Sequence, residues 1–443
     1  MLLILLLLAI FFIIYSTTRL HLHPFLALLL TALGFGLLAG MPVKTLLKSI
    51  NEGFGGTIGN IGLVIILGIL IGAFLEHSGG AYALADRVLK WIGRQRVTLS
   101  MTLIGYIVSI PVFADSGFII LHPLNRALSK QAGKSLAGTA IGLGLGLMAS
   151  HTMVPPTPGP IAAAGILDAD LGLVIFWGLV VSSVALIPGY FFAQKIASKV
   201  WIEPNPQLSP EDLNKKIQEA PGAVLSFLPI FLPILLIILK SFNDYAKFTE
   251  SGGLKSVIDF TGTPVIALLI GLGFALSLPK KLEKKMLSAS GWTGAALQDA
   301  AIIILITGAG GIFGKVLQNS GLAEVIGDSL GSANLGIWLP FIIAAALKTA
   351  QGSSTVAIIT TASIIAPLMP NLGFDTPTAK ALAVVAIGAG SAVVSHANDS
   401  FFWVLTQLTG MNVAQGYRLQ SVGTGIVGFS AAVVVFLLDC WIV

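Results

Sequence analysis

Charge and cysteine are what this chain has least of. Only 10% of its 443 residues are Asp, Glu, Lys or Arg, against about 25% in soluble domains. So little charge cannot coat a water-soluble fold of this size. Its single cysteine, Cys440, excludes an internal disulfide and any metal site built from cysteines. H-E-x-x-H does not occur, so no zinc-protease helix is written in the chain. The net charge of +5 is no nucleic-acid footprint. The basic residues sit in short loops between apolar runs, as membrane orientation requires, without the interleaved aromatics that stack bases.

What the chain has in abundance is hydrocarbon: 55% of its residues are hydrophobic and the mean hydropathy is +0.91. Leu2 to Tyr15, Phe25 to Gly40, Ile58 to Phe74 and Leu228 to Leu239 are near-continuous apolar runs of the kind a hydrocarbon core about 30 Å thick demands. The first lacks a basic segment before it and a small-residue cleavage site after it, so it reads as a span rather than a secretory signal. An all-α polytopic membrane protein is expected.

The chain also repeats itself. Gly72 to Asp86 aligns without gaps on Gly314 to Asp328, matching at six of fifteen positions. The same order of features follows each copy. A short amphipathic stretch comes first (Ala81 to Trp91; Leu322 to Leu330), basic in the first copy and acidic in the second through Glu324 and Asp328. Then come two apolar segments joined by a polar break (Ala114 to Gly117; Gln351 to Thr355), a long span broken at Ser-His (Ser150-His151; Ser395-His396), and a closing span.

Taking each polar-broken pair as a re-entrant hairpin gives five spans per half, about ten transmembrane helices in all. An odd number per half makes the repeats inverted. Arg19, the cations from Arg87 to Lys134, Lys195, Lys199, Lys215, Lys216, the cluster Lys280 to Lys285 and Arg418 then share the cytoplasmic face, as the positive-inside rule asks. Both termini fall outside. The alternative, with every pair crossing fully, is twelve spans in parallel repeats. The expected organisation is a first repeat over 1–194 (hairpin about 97–130, broken helix about 137–166), a cytoplasmic linker over 195–221, and a second repeat over 222–443 (hairpin about 333–368, broken helix about 379–409).

Irregular backbone at membrane depth survives only where protein or a water-filled cavity satisfies it. Four such places are expected: the two hairpin tips and the two breaks, His151 to Pro160 and His396 to Ser400. Each frees N–H groups at a half-helix N-terminus, so four half-helices converging on one cavity would make an anion site. Asp115 and Asp399, one per repeat, are the candidate proton-coupling residues, or else fixed helix caps. The candidate substrate-binding residues are Ser116, Gly117, His151, Thr152, Pro156, Thr157, Gly159, Gly352, Ser353, Ser354, Thr355, His396, Asn398 and Ser400. The two histidines titrate or donate to substrate, or are fixed by freed carbonyls. Four prolines in Pro155 to Pro160 predict a rigid, extended crossing point lining the site. Glu76 and His77 fall at the interface, Lys348 is expected to snorkel, and His21 and His23 are given no role.

Pro-Pro-Thr-Pro-Gly-Pro after Ser-His, Gln-Gly-Ser-Ser-Thr-Val-Ala, and Ser-His-Ala-Asn-Asp-Ser together resemble the gluconate permease (GntP) family. The resemblance runs from His23-Pro24-Phe25 to Ser395-His-Ala-Asn-Asp399. It implies uptake of gluconate or related small hydroxy or amino acids, such as D-serine, with protons across a bacterial inner membrane. It also implies the wider ion transporter superfamily, with inverted repeats, paired hairpins and elevator-type movement. Where family members can carry a glutamate, the first hairpin tip here has Ala114-Asp115, which leaves substrate and coupling ion the least determined part.

The function expected is therefore a secondary transporter, not an enzyme, needing no cofactor beyond a coupling proton, with sodium as the alternative ion. Its partners would be a small carboxylate, the bilayer and further copies of itself. An intramembrane hydrolase using Ser150, His151 and Asp399 is the distant alternative. Adjacent Ser150 and His151 point different ways on a helix, which argues against it.

Overall fold

The computed structural model describes residues 2–93, 96–205, 210–249, 251–322 and 335–442, and every regular element among them is helical. Three helices open the chain: α1 (Leu2–Thr18), α2 (Pro24–Leu38) and the 35-residue α3 (Val43–His77). An amphipathic α4 (Gly80–Ile92) follows, then the arms α5 (Val97–Val108) and α6 (Ala114–Gln131). Next come α7 (Leu136–Met153), α8 (Pro158–Ile166) and α9 (Leu171–Lys195). The expected linker holds a helical turn, Ala197–Lys199, and the polar α10 (Pro210–Glu219).

The second half restates the order. It contains α11 (Ala223–Ala246), α12 (Gly253–Thr261), α13 (Pro264–Leu276) and α14 (Trp292–Asn319). The arms α15 (Trp338–Gln351) and α16 (Ser354–Ile365), the pair α17 (Pro377–Ala392) and α18 (Ser400–Thr409), and a closing helical run α19 (Val413–Ile442) complete it. Of the second amphipathic stretch only Leu322 is described. Glu324 and Asp328 lie outside the described residues.

Local chemistry sets the boundaries. Ser135, Asp170, Ser353, Thr376 and Asp399 each cap the helix that follows with a side-chain oxygen, satisfying N–H groups that lack intrahelical partners. Pro24, Pro158, Pro264 and Pro377 sit at helix starts, where a missing N–H costs nothing.

Six segments are long and apolar enough to cross a membrane: α3, α7 with α8, α9, α11, α14 and α19. The pair α12 and α13, bent by 71°, makes a seventh. The shorter apolar helices include α1, α2 and α17, and also α5 and α16. At 12 residues each, the last two rise only about 18 Å.

Packing follows the same plan in both halves. The long helices α3 and α14 lie against each other, with α2 on α14 and α13 on α3. Arm α5 packs on α7 as α15 packs on α17, and α7 meets α9 as α17 meets α19. The outgoing arms exchange partners: α6 rests on α18, and α16 rests on α8. That exchange brings the two hairpin tips and the second break together.

Candidate substrate site

Between those tips lies a cavity of about 290 Å³, walled by hairpin residues 113–115 and 351–355, break residues 398–401, and Met148 and His151 of α7. Three helix N-termini border it. Ala114 and Asp115 begin α6, Ser354 and Thr355 begin α16, and Ser400 and Phe401 begin α18. The positive dipole ends of these helices, and the first-turn N–H groups that the Ser353 and Asp399 caps leave over, favour an anion. Side chains supply further polar atoms: His151 Nδ1 and Gln351 Nε2 are buried with no hydrogen-bond partner among the described residues.

The second break is held from behind by an ion pair. Lys348 Nζ donates to Asp399 Oδ2 at 2.7 Å and to the Gly352 carbonyl. Lys348 is fully enclosed and Asp399 is only 5% exposed. Ser395 Oγ donates to the same carboxylate oxygen at 2.6 Å, while Asp399 Oδ1 accepts from Phe401 N at 3.1 Å. His396 and Asn398 fasten the break to the end of α15: His396 Nε2 lies 2.7 Å from Thr349 O, and Asn398 Nδ2 donates to Thr349 O and Ala350 O. Gly352 is required at this junction. Its φ is +84°, and a Cβ there would collide with the Asn398 carbonyl. Across the cavity, Ser400 Oγ donates to Asp115 Oδ2 at 2.9 Å, linking the first hairpin to the second break.

The description of a GntP family permease matches residues 1–441. The chain belongs to the GntP permease family. It is 35% identical over 435 residues to a gluconate permease of Pseudomonas aeruginosa, covering 95% of this chain and 94% of that one. It is 36% identical to the inner membrane permease YgbN of Escherichia coli, over 92% of both chains. The D-serine transporter DsdX of the same organism is 32% identical, over 98% of this chain and 97% of its own. Two solved structures share the fold: Neisseria gonorrhoeae MtrF (TM-score 0.64, 16% identity, 90% of this chain and 85% of that one) and Alcanivorax borkumensis YdaH (TM-score 0.62, 14% identity, 95% and 99%). This GntP permease is thus a multi-pass membrane transporter and not an enzyme.

In this permease the cavity gathers Asp115, His151, Gly352, Ser353, Ser354, Thr355, Asn398, Asp399 and Ser400. Ser116, Gly117 and His396 stand next to it without lining it, and Thr152, Pro156, Thr157 and Gly159 are buried elsewhere. Three half-helix N-termini converge rather than four. The fourth, that of α8, is taken up in packing. The helix α7 also runs past Ser150 and His151 to Met153, and the first break is confined to 154–157. The Pro-rich run is only partly extended, because Pro158 and Pro160 form the first turn of α8, where proline fits. Glycines of three other helices close on this break. A Cβ at Gly68 would come within 2.8 Å of Pro156 O, one at Gly178 would strike Met153 O, and one at Gly388 would strike Thr152 O. Lys348 does not snorkel: Asp399 and the Gly352 carbonyl hold its ammonium inside. The apolar wall residues Phe113, Met148 and Phe401 carried no sequence signal apart from their nearness to the breaks.

Proposed function

We propose that this permease imports gluconate or a related small hydroxy or amino carboxylate by proton symport across the bacterial inner membrane, with Asp115 as the proton carrier. The observation that carries the reading is the placement of Asp115: its carboxyl faces the cavity, accepts a hydrogen bond from Ser400, and has no cation within ion-pairing distance among the described residues. The relatives named gluconate permease, D-serine transporter and inner membrane permease support the substrate class and the membrane.

The coupling follows from charge. A substrate carboxylate drawn to the N-termini of α6, α16 and α18 shares one small cavity with the Asp115 carboxylate, and two anions there repel. A proton on Asp115 removes the repulsion, so proton and substrate enter and leave together. Asp399 is unsuited to this exchange because Lys348 already neutralises it. The cavity, at the small end of ligand sites that run upward from about 300 Å³, suits a small acid. Ser353, Ser354, Thr355, Gln351 and His151 offer donors to its hydroxyl or amino groups.

The repeated helix order supports ten spans in two inverted repeats: the six long segments, the bent α12 and α13, and α1, α2 and broken α17 and α18, with both hairpins re-entrant. In this arrangement α3 and α14 with their neighbours form a fixed frame. The hairpins and broken helices carry the cavity past it as an elevator. The test is uptake into proteoliposomes of labelled gluconate, glycerate, lactate and D-serine under an imposed pH gradient or an imposed sodium gradient. Concentrative uptake of one of these acids with the pH gradient alone is expected. Accumulation that follows sodium and ignores pH would overturn proton coupling.

A further inference from the structure

Lys348 and Asp399 are the only buried Lys, Arg, Asp or Glu side chains among the described residues. The ammonium donates to the Gly352 carbonyl at a hairpin tip and to the Asp399 carboxylate at a span break, and the Ser395 hydroxyl is bonded to the same carboxylate oxygen. Oxygen-only sets of carboxylate, carbonyl and hydroxyl are what hard cations bind, and unwound backbone at a midplane break is where transporters hold sodium. The first hairpin offers nothing comparable, since its incoming arm, Val97–Val108, contains no charged residue.

We propose that Lys348 is a resident cation: its ammonium fills a sodium-type site between the second hairpin tip and the second break, locks the two together, and makes a bound metal ion unnecessary there. The inference rests on reading this cavity as the transport site, and it does not require Asp115 to carry the proton. Lys348 is a positioning residue under this proposal, acting through Asp399 and Gly352 on the N-termini of α16 and α18. Removing the side chain leaves a buried space faced by the Asp399 and Gly352 oxygens that now hold the ammonium, open to a small monovalent cation.

The experiment compares the wild-type chain, Lys348→Ala and Lys348→Ala/Asp399→Asn by thermal unfolding in detergent, in NaCl and in choline chloride of equal concentration. The wild-type Tm is expected to be the same in both salts. Lys348→Ala should unfold at least ~5 °C lower in choline, because an uncompensated buried carboxylate remains, and NaCl should recover the loss with a saturable dose dependence. The double variant, with both charges gone, should be indifferent to sodium. A wild-type Tm raised by sodium, or a Lys348→Ala protein with equal Tm in the two salts, overturns the proposal. So does a double variant that folds while the single variant folds in neither salt. A sodium-coupled carrier would show itself as a wild-type Tm raised by NaCl, whereas equal Tm values for Lys348→Ala in the two salts would sink this inference alone and leave proton symport untouched.

Discussion

The two span breaks occupy corresponding places in the two halves and have opposite characters. The first, at 154–157, is buried, with the Pro156 carbonyl facing a glycine of α3 and the carbonyls of the preceding turn, Thr152 and Met153, facing glycines of α17 and α9. The second, over 393–399, carries His396, Asn398 and Asp399, is fastened to the hairpin by hydrogen bonds, and opens to the cavity. The hairpins are also unequal: Lys348 of the second pairs with Asp399, whereas the first presents Asp115 with no ion-paired cation among the described residues. A repeated architecture thus yields one rigid joint and one chemical site. Under the proposed mechanism, fixed charge falls in the second half and exchangeable charge in the first.

The largest effect expected is from splitting the buried pair. Lys348→Met or Asp399→Asn alone should each lower stability by about 3–5 kcal/mol, measured by chemical denaturation in detergent. The combined variant should lose much less than the sum. Additive losses would mean that the two side chains do not act as a unit. Next comes the rigid joint. Gly178→Ala places a methyl against the Met153 carbonyl and should cost about 1–3 kcal/mol by overpacking. Pro156→Ala, which leaves the cavity wall untouched, should leave the substrate KM near wild type. A KM raised tenfold with unchanged stability would move the first break into the binding site and erase the contrast. The smallest effect belongs to Ser400→Ala. Losing a hydrogen bond to a carboxylate worth about 1.5–3 kcal/mol in a buried setting, discounted because Ser400 is exposed to the cavity, should weaken substrate transport severalfold without changing Tm.

Much of this was legible in the chain. Hydropathy predicts a polytopic helical protein, and the repeat predicts the order of arms, breaks and closing spans. Polar residues at interrupted apolar runs point to the cavity, because irregular backbone in lipid needs protein or water around it. Asp115, Ser353, Asn398 and Ser400 are found that way. Lys348 is not, since a lysine near a helix end reads as a snorkelling side chain and its partner lies 51 residues away. The Pro-Pro-Thr-Pro-Gly-Pro run misleads for a related reason. Its unusual composition marks an unusual backbone, but only the glycines that close on it from distant helices decide whether the place is a joint or a binding surface.

The most direct test of the central claim is pH-gradient-driven uptake and substrate counterflow by Asp115→Asn in proteoliposomes, beside the wild type. Counterflow retained with concentrative uptake abolished is the result predicted for a carrier whose exchangeable proton sits on Asp115. Accumulation at the wild-type level under the same gradient would contradict it.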